Sequence, residues 1–224
     1  MQQHQIAPSE RHPLAAAGAD GCRAGWVVAT REGVVVVPSL RPAEFAAIGV
    51  DMPIGLSDKG PRACDTDARG FLGTRRSTVF PTPPRACLGA LDHADAVARS
   101  RATIGVGISI QAFHLLPKIR EVDALVDLAA PDRIVEVHPE CAFAFMSGGA
   151  PLPPKRTAAG VTLRRALLAE RFERVEPAPR GAATHDLLDA YAVLWSTERF
   201  LAGTAHVFGD GERDARGIVM RIVA

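Results

Sequence analysis

The four cysteines, Cys22, Cys64, Cys87 and Cys141, lie far apart and form no C-x-x-C pair, which argues against a zinc ribbon and against thioredoxin-type redox chemistry. No apolar run approaches the ~20 residues that a bilayer-spanning helix needs, so a membrane partner is not expected. A secretory pattern is also missing: the opening MQQHQIAPSERHP is polar, and the LAAAGA after it is too short for a signal core. A reducing cytoplasm and free thiols are the expectation that follows. Charge of one sign is not in excess either, with 26 Lys and Arg against 25 Asp and Glu. Nothing therefore pulls the whole molecule toward nucleic acid, and any such contact needs a local basic face. There is no G-x-x-x-x-G-K-[ST] loop and no internal repeat.

What is present is enough apolar material for one core. With 224 residues, 47% apolar and 23% charged, no second domain is required. The expected layout is a single α/β domain over residues 14–224, preceded by a flexible tail at 1–13 and carrying a helical insertion at about 55–130. Small apolar residues up to Ala19, then 25–30, then 34–37 read as a meander of strands, with turns expected at Asp20-Gly21 and Glu32-Gly33. A short helix over 41–47, opened by Pro42, and an apolar strand over 47–52 follow. A strand reached through a helical crossover is normally parallel, so the sheet should be mixed. Helical stretches are expected near 65–72, 92–99 and 110–128, with an irregular proline-rich TVFPTPPRA among them. Then come a strand at 134–137, a helix at 161–172, a helix at 184–202 with Thr184 as N-cap, and a terminal edge strand GIVMRIVA. Between Lys59 and Arg120, ten Lys or Arg stand against four Asp. That makes the insertion the candidate phosphate-contacting surface, the competing reading being a solvated helical insert.

Four acidic islands sit at the edges of apolar stretches: Asp20 in GADGCRAGW, Asp51 in IGVDMPIGL, Glu136 and Glu140 in VEVHPE, and Asp186 with Asp189 in HDLLDAY. A carboxylate costs several kcal/mol to bury unpaired, and crowding several is worse, so such acids want a cation. Oxygen-only ligation favours Mg²⁺ or Mn²⁺ over zinc. Asp20 also fits a plain Asp-Gly turn. Asp51 interrupts a stretch too hydrophobic for a surface loop, which favours function. Glu136 and Glu140 flank His138, and Glu140, at a strand end beside a helix start, is the preferred site acid of the two. Asp186 and Asp189 are three apart, which places both on one helix face, although a pair of acids in a first turn also answers the helix dipole. His185 reads as a surface or supporting residue.

These stretches, with LGTRRSTVFPTPPRA, GISIQAFHLLPKIREVD and the KRTAAG downstream of EVHPECAF, span roughly residues 17–197. In order and number they resemble the predicted RNase H-like nucleases catalogued as domain of unknown function family 429. The resemblance implies an RNase H-like mixed five-stranded sheet flanked by helices, ordered β-β-β-α-β-α-β-α. It maps the first-strand acid to Asp20, the fourth-strand acid to Asp51 and the last-helix pair to Asp186 and Asp189, a spacing similar to that of Holliday-junction resolvases. Ala19 and Ala24 depart from the family pattern without touching an acid.

The expected function is a metal-dependent phosphodiester hydrolase, a nuclease acting on nucleic acid, with Asp20 bridging two Mg²⁺ or Mn²⁺ ions and Asp51, Asp189 and Asp186 or Glu140 completing the ligands. Arg75 and Arg76 are the expected phosphate grips, with Lys118 and Lys155 behind them. The rivals are a nucleotide-dependent phosphotransferase of the actin or sugar-kinase class and a non-catalytic nucleic-acid-binding module. DNA against RNA, and monomer against homodimer, stay open.

Overall fold

Short side chains build the central strand. In a computed structural model, which describes residues 14–224, β1 (Leu14–Cys22) pairs antiparallel with β2 (Gly25–Ala29), which pairs antiparallel with β3 (Val34–Val37). On its other side β1 pairs parallel with β4 (Phe45–Val50), and β4 parallel with β5 (Ile134–Glu136). The order β3-β2-β1-β4-β5 makes a mixed α/β sheet consistent with an RNase H-like arrangement. The expected tail at 1–13 lies outside the described residues.

The strands differ from expectation at two joints. The first turn is Arg23-Ala24, not Asp20-Gly21, because Cys22 pairs with Gly25 and Asp20 lies inside the ladder opposite Val27. Gly25 sets that position: it has φ +131°, and a Cβ on it would stand 2.1 Å from the Val37 carbonyl oxygen. The helix expected at 41–47 is only a 3₁₀ turn at Pro42–Glu44. Phe45, Ala47, Ile48 and Val50 are all buried, so pairing with β1 claims residues whose local pattern also suited a helix.

The insertion forms α1 (Ala63–Leu72), α2 (His93–Ile104) and α3 (Ile110–Leu125). Between α1 and α2 the prolines leave only 3₁₀ turns, Gly73–Thr78 and Arg85–Gly89. α4 (Pro139–Met146) opens on Pro139, and α5 (Ala158–Ala169) on a Thr157 cap that accepts the Gly160 amide, three residues before the expected start. α6 (Thr184–Leu201) is capped at Ala183 rather than Thr184, and the Asp186 carboxylate accepts the Ala183 amide at 2.9 Å. The expected terminal strand shrinks to β7 (Ile222–Val223), paired with β6 (Val207–Phe208) and bridged once to Val137. Among the described residues no helix is long and apolar enough to cross a membrane.

Alternation along the strands sorts the core into two layers. Ala17, Ala19, Trp26 and Val28 face α2 and α3, while Ala16, Val27 and Ala29 face α4, α5 and α6. Gly18 and Asp20 share the second face, since residues two apart point the same way. There α6 lies almost on the sheet backbone: a Cβ on Gly18 would stand 2.1 Å from Leu194 N and 2.3 Å from Ala190 O, and one on Gly49 would stand 2.1 Å from Thr197 Oγ1. This seat brings Asp189, next to Ala190, down onto Asp20.

Gly18→Ala should therefore force α6 off the sheet and cost about 1–3 kcal/mol, the usual range for overpacking. Gly70→Ala in α1, where an added Cβ meets nothing within 4 Å, should be neutral or stabilise by up to about 1 kcal/mol. Urea unfolding of the two variants checks the contrast, and equal midpoints would contradict the tight seat.

Candidate metal centre

Three carboxylates meet where the parallel strands end. Asp20 comes from β1 and Asp189 from α6. Asp51 directly follows β4, and its amide donates to Ala19 O at 3.0 Å, continuing the ladder. A carboxylate oxygen of each residue lies within 4.8 Å of the other two. Asp20 is 8% exposed and Asp189 fully buried, while Asp51 is half-buried. Among the described residues no group donates a hydrogen bond to the Asp20 or Asp51 carboxylate, and Asp189 Oδ1 is buried without a partner. Among the described residues the one cation in contact is Lys155, whose Nζ donates to Asp189 Oδ2 at 2.5 Å.

Burial pushes Asp51 and Asp189 each up to about 6 and Asp20 well above the usual carboxylate range. The neighbouring acids push the same way, and Lys155 opposes them at all three positions. Burial acts to lower the Lys155 pKa, but the Asp189 and Asp51 charges outweigh it and hold the ammonium above the ordinary lysine range. An oxygen-only set with an unspent buried acceptor suits a hard divalent cation, so the residues fit a bound metal ion.

The other acids of the islands are engaged. Glu136 takes a two-pronged contact from Arg62, at 2.7 Å to each oxygen, and Arg62 also grips Asp65. Glu140 takes Arg164 at 2.8 Å on both oxygens and Arg75 on one. Asp186 caps α6 and stands 3.2 Å from His185, so the helix pair divides into one capping acid and one site acid. Burial lowers the pKa of His138. Its Nε2 donates to Thr78 O at 3.1 Å, and its Nδ1 is buried with no partner among the described residues.

A cleft of about 720 Å³ opens on the cluster, lined among others by Asp20, Asp51, Phe80, Lys118, His138 and Lys155. Of the expected phosphate grips, Arg75 lines it but is held by Glu140 and by Leu152 O at 3.1 Å. Arg76 is exposed and stands outside the lining, because successive residues of a 3₁₀ turn sit about 120° apart. Lys118 lines the cleft with its Nζ on Gly25 O at 2.5 Å and 4.3 Å from the Trp26 ring centre. Lys155 is not behind the arginines but within the acid cluster: Gly160 lets Pro154 O close onto α5, where a Cβ would stand 2.0 Å away. The basic residues of the insertion are partly committed to the fold. Seven of its ten Lys and Arg, namely Arg62, Arg69, Arg75, Arg85, Arg99, Lys118 and Arg120, bond within the fold. Sequence reading missed Arg156, Phe80 and Thr82 in the cleft lining. The TVFPTPP run was the only signal for the last two.

A family model described as "Protein of unknown function (DUF429)" matches residues 18–213. No curated protein and no solved structure matches the chain.

The raised carboxylates fix the sign of the pH dependence. Their folded pKa values, about 6 for Asp51 and Asp189, lie above the unfolded value of about 3.9, so the folded state holds protons that the unfolded chain has released. The metal-free protein should lose stability as pH rises from about 4 through about 6. Mn²⁺ competes with those protons, so the Mn²⁺-induced rise in melting temperature should be larger at pH 7.5 than at pH 5. Thermal melts check both, and an Mn²⁺ shift that does not change with pH would contradict the assignment.

Proposed function

We propose that this chain, which belongs to the DUF429 family of proteins of unknown function, is a metal-dependent phosphodiester hydrolase acting as a nuclease. The observation that carries the reading is the convergence of Asp20, Asp51 and Asp189 within 4.8 Å without hydrogen-bond donors to offset two of them. Groups this crowded repel by a few kcal/mol per pair at an effective dielectric near 20. A fold that keeps them together, while giving Glu136 one arginine and Glu140 two, is organised for a cation from outside.

Asp20, Asp51 and Asp189 would hold the ion, and oxygen-only ligation favours Mg²⁺ or Mn²⁺. Bound there, such an ion supplies charge to stabilise phosphoryl oxygens and makes water acidic enough to attack near neutral pH. Glu140 and Asp186, on which a second ion would draw, are taken by Arg164 and the Ala183 amide. Lys155 carries the second positive charge instead, as a compact ammonium beside Asp189. Arg75, held by Glu140, lines the cleft beside the cluster. His138, which lines the same cleft, keeps an Nδ1 with no hydrogen-bond partner among the described residues, an acceptor for a proton.

Asp51→Asn keeps the size of the side chain and removes its charge. Mn²⁺-dependent hydrolysis of bis(p-nitrophenyl) phosphate should fall at least about a hundredfold, the Mn²⁺-induced melting shift should shrink, and the metal-free melting temperature should hold or rise. Equal Mn²⁺ shifts in wild type and variant would sink the assignment. Lys155→Met should act the other way on the metal-free protein. Breaking a buried pair costs 3–5 kcal/mol, discounted here to about 1–3 because the lysine side chain is 36% exposed. Added Mn²⁺ should restore most of that loss, as read from melts of the two proteins.

A further inference from the structure

The cleft beside the acids is built unevenly. Its lining joins the carboxylates and Lys155 to apolar Met52, Leu115 and Ile119 and to the proline-rich segment around Phe80. Phe80 is 54% exposed and belongs to the lining, so aromatic surface is open at a concave site. Two residues further on, Thr82 Oγ1 is buried without a hydrogen-bond partner among the described residues, and the Nδ1 of His138, which also lines the cleft, is in the same condition. Buried polar atoms are normally satisfied. Two unspent groups beside an open ring describe a surface that reads a flat, polar-edged ring.

The charges decide how much nucleic acid can follow that ring. Five Lys and Arg line the cleft, and four are engaged: Arg62 by Asp65 and Glu136, Arg75 by Glu140, Lys118 by the Gly25 carbonyl and Lys155 by Asp189. Arg156, exposed, is the cation of the lining with neither a hydrogen-bond nor an ionic partner among the described residues. A protein that docks on a duplex neutralises on the order of six to ten phosphates, and this lining is short of that several times over. A net charge of +1 supplies no compensating field.

We propose that the cleft takes one unpaired nucleotide, its base against Phe80 and within reach of Thr82 and His138, its phosphate between the acid cluster and Arg156. The substrate is then a small phosphodiester, either a free dinucleotide or the unpaired end of a single strand, and not a double helix. This rests on the hydrolase reading above. In the reaction a water oxygen bonds to phosphorus, the bond from phosphorus to the leaving sugar oxygen breaks, and that oxygen takes up a proton.

The test uses the full chain with Ca²⁺ in place of Mn²⁺ during binding, and three probes: a thymidine dinucleotide, a 12-nucleotide single strand and a blunt 12-base-pair duplex. The dinucleotide and the single strand should bind with similar Kd, and the duplex at least tenfold more weakly. A dinucleotide that binds while the single strand does not would identify the free form as the source. Phe80→Ala should weaken dinucleotide and single-strand binding about tenfold or more, Phe80→Trp should restore it, and neither should alter the Mn²⁺-induced melting shift. Duplex binding as tight as single-strand binding, or unchanged dinucleotide affinity in Phe80→Ala, would overturn the proposal. The two readings fail separately. An Mn²⁺ shift with no dinucleotide binding sinks the nucleotide pocket alone, whereas Phe80-dependent dinucleotide binding with no Mn²⁺ shift sinks the hydrolase reading and keeps the pocket.

Discussion

The close seating of α6 on β1 and β4 is the contact on which the remaining arrangement depends. Gly18 and Gly49 remove the side chains that would hold the helix away, and the Leu194 amide and Thr197 hydroxyl occupy the space where their Cβ atoms would stand. A helix at that distance cannot slide without overlapping backbone, so Asp189 is fixed relative to Asp20, which shares the face of Gly18. Asp51 is fixed independently by the sheet through its amide bond to Ala19 O. Two rigid attachments therefore meet at one point, which is how a site made of short carboxylates acquires definite geometry.

That geometry carries an electrostatic penalty that the protein treats differently in different places. Glu136 with Asp65, Glu140, and Asp214 with Asp123 are neutralised by Arg62, Arg164 and Arg85. Arginine suits this work because its planar fork meets both carboxylate oxygens. Only three lysines stand in the chain against 23 arginines, and one of the three is the cation placed among Asp20, Asp51 and Asp189. A single-point ammonium satisfies Asp189 Oδ2 and leaves Oδ1 without a partner. The arginine-paired acids have their charge neutralised and both oxygens occupied. The lysine-paired cluster does not.

Much of this was legible in the sequence, for reasons that residues make plain. Asp20, Asp51 and Asp189 stood out because acids in apolar surroundings need a partner, and the proline and glycine punctuation located the helices of the insertion to within a few residues. Sorting the acids was harder. Asp186 and Asp189 share a spacing, and only the position of the Ala183 amide makes one a cap; Glu140 looks like a site acid until Arg164, 24 residues later, is folded against it. Lys155 is 34 residues from Asp189 in sequence, in a loop of prolines, and no local pattern reports that pairing. The first hairpin turn was misplaced because Asp-Gly is a strong turn signal, while the deciding contact, Gly25 against Val37 O, is tertiary.

The central claim is that Asp20, Asp51 and Asp189 form a divalent-metal site. Crystals of the protein grown with Mn²⁺ and measured near the manganese absorption edge test it most directly. The expected result is an anomalous peak enclosed by those three carboxylates, lost in Asp51→Asn crystals. A map with no peak there, the three acids held only by Lys155 while Mn²⁺ sits on surface carboxylates elsewhere, would contradict it.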